Sequence, residues 1–298
     1  MVLRILIIAA LAVLDFGLPT AAEDGSHDRL TLRSLTTWSD AHDGFGGFSG
    51  LAMMPGGADF LTVSDQGLLV RATVTRNPAG WITGVRWTNA ARFLDGFGKP
   101  VDGFTSDAEA IRLMKDGRIM VSFEGYARVS IFQPPDMAPI PLHKWDRFKS
   151  IWGNSGMESL AIGPDGQVMT ILEVPGKDGA YQTLIYQGGE SWQAGPSLAG
   201  DGTFSATDAA WGPDGQLYVL ERQFSVVFGY KSRISSYAAT ATGFGNPKVE
   251  WQSQTGEFGD FEGMDITLNA VGHTIFTLIS DNNFLPTEAT TIAELERP

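Results

Sequence analysis

Carboxylates recur along this chain at places that matching segments share. Five segments align: GGFSGLAMMPGGADFLTVSDQG, TSDAEAIRLMKDGRIMVSFEG, SGMESLAIGPDGQVMTILE, SATDAAWGPDGQLYVLE and DFEGMDITLNAVGHTIFTLISDNN. Their leading polar positions are Ser49, Glu109, Glu158, Asp208 and Glu262, separated in turn by 60, 49, 50 and 54 residues. A second acid closes each segment, namely Asp65, Glu124, Glu173, Glu221 and Asp281, lying 16, 15, 15, 13 and 19 residues after its partner. If the fold gathers these nine carboxylates, they cannot all stay ionised without cations or a large rise in pKa. Oxygen donors in a flexible array suit Ca²⁺, and Mg²⁺ where fewer ligands and more water remain. Two other readings stand beside the metal: a hydrated acidic opening, and ion pairing with Arg222, Arg128 or Arg233.

The elements that must position these acids follow from the same segments. Each carries a short polar or acidic residue, a small residue, an alternating apolar strand, a turn and a second apolar strand. The turn is KDG or GPDG in the middle copies. Asp bonds its own backbone there, Pro presets φ and Gly supplies φ > 0. QVMTILE and QLYVLE have the composition of buried strands. A period near fifty residues with about four short strands per unit is the pattern of an all-β β-propeller. Five blades are expected, a sixth degenerate blade in the long gap between the first two copies being the alternative. The last unit is one strand short, and RLTLRSLTTW, residues 29–38, is unassigned before the first. Pairing the two closes the ring and removes its exposed edges. Both acidic rings should then open on one face, at the channel mouth.

Composition excludes several function classes. The 298 residues contain no Cys, which removes disulfides, thiolate metal sites and Cys nucleophiles. With 34 acidic against 21 basic side chains the net charge is −13, so no nucleic-acid partner is expected. Arg4, the apolar run ILIIAALAVL and the small residues of LPTAA read as a signal peptide over 1–22, an uncleaved anchor being the alternative. The mature chain, 23–298, is read as one domain with no membrane span, periplasmic or secreted. The four His lie outside the aligned positions, so a His general base is not expected. Asn282 and Asn283 read as loop residues, and Tyr126 and Phe224 as packing. Arg222 is placed either to meet an anionic substrate or to pair with Glu221 or Asp208.

Taken in order, FSGLAMMPGGADFLTVSDQG, SDAEAIRLMKDGRIMVSFEG, GMESLAIGPDG, LYVLERQFS and FEGMDI…LISDNNF resemble the phytase-like, or esterase-like phytase, domain of exported bacterial proteins. The resemblance spans nearly all of the chain from residue 29 onward. It implies kinship with calcium-dependent propeller phosphoesterases. On that footing Glu109, Glu158, Asp208 and Glu262, with Asp65, Glu124, Glu173, Glu221 and Asp281, would hold metal and position water. Arg222 and Arg128 would bind substrate phosphate. The motifs carry few Lys or Arg, so the metal-lined funnel transfers and phytate as substrate does not. The expected activity is a metal-dependent hydrolysis of a phosphoester or related small-molecule ester, with Glu158 or Glu109 taking the proton. The alternative is a non-catalytic propeller that captures a ligand or protein at its funnel.

Overall fold

In the computed structural model, which describes residues 30–153 and 156–298, each aligned segment forms the hairpin its turn chemistry requires. Asp116, Asp165 and Asp214 each accept, through Oδ1, the backbone N–H two residues on, at 3.1, 3.0 and 3.1 Å. The glycine between sits in the left-handed region in every case, at φ 85, 85 and 75° for Gly117, Gly166 and Gly215. Asn269 performs the same service for Val271 in the last copy. The expected signal segment, 1–22, lies outside the described residues.

Five antiparallel sheets follow in chain order. Blade one comprises Phe48–Met53, Asp59–Ser64, Leu68–Arg76 and Ile82–Arg92. Blade two comprises Ala108–Leu113, Ile119–Phe123, Arg128–Gln133 and Asp136–Pro141. Blade three comprises Ser159–Ile162, Val168–Ile171, Thr183–Gly188 and Ser191–Ala194. In blade four, Ser205–Trp211, Gln216–Ser225 and Gly229–Thr240 are followed by Gly243–Phe244 and Lys248–Gln252, both paired to the third strand. Blade five comprises Asp260–Leu268, Thr274–Asp281 and Thr290–Arg297, and its outer strand is Thr31–Trp38 from the other end of the chain. That strand runs antiparallel to Thr290–Arg297 from Thr31↔Glu296 to Trp38↔Thr290, which closes a five-bladed propeller as the unpaired ends required.

Apolar side chains fill the seams between blades. At the closure Trp38 stacks on Phe48 at 4.9 Å and meets Phe60 edge-on at 5.6 Å. Buried Glu294 completes this seam, accepting from Arg76 at 2.6 Å and from the backbone of Ile82 at 2.7 Å. The first strand of every blade lines the channel and packs against the first strands of both neighbours. These strands approach closely: a Cβ on Gly50 would stand 2.6 Å from the carbonyl oxygen of Glu109. Among the described residues no helix is long and apolar enough to cross a membrane.

Candidate functional site

All five blades deliver the same three positions to one end of the channel, and the ladder register identifies them. In blade five Asp260 faces Asp281 and Phe261 faces Ser280, and a bulge then leaves Glu262 unpaired. In blade four Ser205 faces Arg222 and Ala206 faces Glu221, and the bulge leaves Thr207 unpaired. Blades one and two show the same register shift around Ser49 and Glu109. Bulges of this kind re-aim a side chain, here toward the channel. The inner ring is therefore Ser49, Glu109, Glu158, Thr207 and Glu262. The outer ring is Asp65, Glu124, Glu173, Arg222 and Asp281. A third set, two residues before the inner ring, adds Asp107 and Asp260.

Blade four thus departs from the sequence alignment by one residue at each position. Asp208 lies deeper, where its Oδ1 accepts from Arg112 at 2.6 Å and its Oδ2 from the backbone of Met264 at 2.8 Å. Arg112 also donates to the carbonyls of Leu51 and Ala209, at 3.2 and 2.5 Å, so this pair ties four blades across the channel. Burial raises Asp208 to about 6 even though Arg112 opposes it. Glu221 points into the body of blade four, where Arg233 donates twice, at 2.8 and 2.7 Å. Tyr181 donates to it at 2.8 Å, and Ser235 also bonds it. Neither Asp208 nor Glu221 reaches the mouth.

The remaining acids converge. Asp107, Glu109 and Glu124 each offer an oxygen within 4.8 Å of the others, and Glu124, Glu158 and Glu173 do the same. Glu124 is common to both triads. Gly156 leaves room for it, since a Cβ there would collide with the Glu124 side chain, and its N–H donates to Glu124 at 3.3 Å. On the other side of the mouth Arg222 donates to Asp260 at 2.9 Å and to Glu173 at 3.2 Å, and also bonds Glu262. Asp65 Oδ1 and Asp260 Oδ1 are buried with no hydrogen-bond partner among the described residues.

Electrostatics follows this geometry. Burial, then the charges of Glu158 and Asp107, raises Glu109 well above the carboxylate range. Burial and then Glu173 and Glu124 do the same to Glu158, with Arg222 opposing. Glu262 is raised by burial and Asp260 against Arg222. Burial brings Asp65 and Glu124 to about 7 and Asp281 to about 6. Burial also raises Asp107 and Asp260. For Arg222 burial works against the charged form, but Glu262 and Asp260 outweigh it and its pKa rises.

Of the other residues singled out from sequence, Arg128 is spent elsewhere. It donates to the carbonyls of Tyr126 and Thr105 at 3.1 and 2.5 Å and lies 3.5 Å over the Phe123 ring. Burial lowers it to about 10. Asn282 Oδ1 accepts from the backbone of Gly47 and Phe284, at 3.1 and 3.2 Å, which fixes the loop as expected. Asp107 and Asp260 were not among the expected ligands. Their signal was the spacing D-x-E, present in both TSDAEAI and GDFEGMD, because alternate residues of a strand share a face.

Residues 43–284 match the family model described as Phytase-like, esterase-like activity of phytase. No curated protein matches the chain. Among solved structures, the chain is similar to the PQQ-bound aldose sugar dehydrogenase of Streptomyces coelicolor, at 14% identity over 88% of this chain and 98% of that one, with a TM-score of 0.46. It is also similar to a catalytically inactive virginiamycin B lyase from Staphylococcus aureus, at 9% identity over 88% and 98%, with a TM-score of 0.44. A luciferin-regenerating enzyme is similar at 12% identity over 84% and 92%, with a TM-score of 0.47. Likeness at these levels says nothing of the chemistry at the mouth.

Proposed function

The chain belongs to the phytase-like family, and from that premise and the geometry of the mouth we propose that it is a metal-dependent hydrolase of phosphoester or related ester substrates. The observation that carries this reading is the pair of overlapping triads, Asp107–Glu109–Glu124 and Glu124–Glu158–Glu173. No Arg or Lys forms a salt bridge with Asp107, Glu109, Glu124 or Glu158 among the described residues. The buried, unpartnered Oδ1 of Asp65, which lies close enough to Asp107 to feel its charge, adds a further hard oxygen on this side of the mouth. Ca²⁺ is the cation we assign, with Mg²⁺ as the alternative, held by Asp107, Glu109, Glu124, Glu158 and Glu173. When bound it supplies Lewis-acid polarisation of an ester oxygen and a lowered pKa for water.

The chain's own residues supply the rest. Burial and neighbouring carboxylates raise both Glu109 and Glu158, and whichever of the two the cation leaves unligated takes the proton. Arg222 is committed to three carboxylates, so its part is to neutralise one side of the mouth, leaving the other for the cation. The reading includes export on the basis of residues 1–22; a mature N-terminus at Glu23, read by mass spectrometry, checks it. A non-catalytic binding propeller is the second reading, and the pairing of Glu173, Asp260 and Glu262 with Arg222 favours it.

The test is hydrolysis of p-nitrophenyl phosphate, carboxyl esters and lactones by EDTA-treated protein with and without added Ca²⁺. The hydrolase reading expects cation-dependent turnover of at least one class, lost in Glu158→Gln and Glu109→Gln by about a hundredfold or more. Calcium binding without turnover of any class would leave the binding reading in its place.

A further inference from the structure

Exposed apolar side chains are concentrated on the mouth face. Ten of the fifteen exposed large hydrophobics among the described residues lie at or beside connections that emerge there. Single exposed apolar residues are ordinary, but a contiguous set is not. The densest set is the tip of the blade-four hairpin, where Phe224, Val226, Val227 and Phe228 are 58, 91, 80 and 69% exposed.

This tip is built rather than loose. The ladder continues past Arg222 to its last pair, Ser225↔Gly229. The Ser225 hydroxyl accepts the Phe228 N–H at 3.3 Å. Phe224 packs on Tyr230 at 4.8 Å, and Asn283 donates to the Tyr230 hydroxyl at 3.4 Å, joining the hairpin to the loop that presents Phe284 and Leu285. A cleft of about 540 Å³ opens between the two, lined by Phe224, Val226, Phe228 and Phe258 and, on the loop side, by Thr287 and the acidic Glu288. Arg222, two residues before Phe224 on the same strand, bonds Asp260 and Glu262, so the apolar surface borders the acidic mouth directly.

The shape and charge of the tip select its partner. Val226 and Val227 are neighbours on a convex turn and both stand almost fully free, so a flat protein surface covers only part of the set. A fluid apolar phase surrounds a convex tip on all sides. No charged residue lies between Arg222 and Lys231, and Arg222 is spent on three carboxylates. A chain of net charge −13 gains nothing from an anionic headgroup layer. We propose that the Phe224–Phe228 hairpin tip inserts into a lipid surface with zwitterionic headgroups, holding the channel mouth against it. This does not depend on whether the mouth is catalytic.

The experiment is flotation of the folded chain with phosphatidylcholine vesicles. A Val226→Ser, Val227→Ser, Phe228→Ser triple variant leaves the core intact, which an unchanged melting temperature verifies. A Leu35→Ser, Val249→Ser variant removes half-exposed apolar side chains from outer strands instead. Wild type and the outer-strand variant should float with the vesicles, and the tip variant should partition roughly a hundredfold more weakly. A Val227→Trp variant should show a blue-shifted emission on vesicle addition and quenching by brominated lipid. Failure of wild type to float, or equal flotation of the tip variant, overturns the proposal. Salt-sensitive binding to phosphatidylglycerol alone, or self-association lost in the tip variant without lipid binding, overturns it as well.

Discussion

Blades two and three each bring two glutamates to the channel mouth, whereas blade four brings Thr207 and Arg222 at the same two positions. The positions correspond in the ladders, so the difference at the mouth lies in the side chains they carry. Where Arg222 stands, Glu173, Asp260 and Glu262 have a resident cation and direct hydrogen bonds. Where Glu109, Glu124 and Glu158 stand, with Asp107 beside them, the carboxylates are buried against one another and their pKa values climb. Buried like charges are relieved by a bound cation or by protonation. One half of the mouth is thus complete within the chain, and the other half is completed by something from outside it.

The harshest way to break this contrast is to remove the resident cation. Arg222→Leu leaves three acids unpaired, and denaturant unfolding in EDTA should show a loss of about 3–5 kcal/mol. Added Ca²⁺ should recover part of it, because the whole mouth then resembles its open half. Glu221→Gln, which disturbs an ion pair inside blade four, should also cost stability but leave the calcium response of the protein unchanged. Recovery of both variants by Ca²⁺ would contradict the separation of Glu221 from the mouth.

A smaller effect separates the halves by pH. Asp65 and Glu124, near 7 when folded, titrate near 4 when unfolded. Folded pKa values raised in this way favour the native state below about pH 4, and the contribution is lost progressively as pH rises from there through about 7. Cation-free protein should therefore lose on the order of a few kcal/mol between pH 4.5 and 8, relative to an Asp65→Asn, Glu124→Gln variant. Saturating Ca²⁺ should flatten the wild-type curve, since cation and proton compete for the same oxygens. A pH slope identical in the two proteins would show that these acids are not strained. The least effect expected is that of Glu158→Gln without cation: removing one crowded charge should raise stability by about 1 kcal/mol. Glu262→Gln, which takes a partner from Arg222, should lower it.

The fold was legible because its signals are local. Three Asp-Gly turns, a period near fifty and an unclaimed strand in RLTLRSLTTW lead to five blades and their closure. The acids of blades two, three and five were legible for the same reason. Blade four was misread because SATDAAW and LYVLER each hold an acid one residue away from the equivalent position. The separation of 13 residues between Asp208 and Glu221 was the discordant sign, since Thr207 and Arg222 stand 15 apart like the pairs of blades two and three. What local reading cannot supply is partnership across the ring. Asp208 meets Arg112 from 96 residues away, and Arg128 serves the Thr105 carbonyl rather than the mouth.

The central claim is that Glu124 joins two carboxylate triads that bind a divalent cation. Calorimetric titration of EDTA-treated protein with Ca²⁺ tests it most directly, paired with melting temperatures at each endpoint. Wild type should bind saturably and gain about 2.7 kcal/mol at a hundredfold excess over Kd. Glu221→Gln should bind as wild type does, and Glu124→Gln should bind at least about tenfold more weakly. No heat and no thermal shift with Ca²⁺ or Mg²⁺, or equal affinity in Glu124→Gln, would mean that the acids form only a hydrated opening.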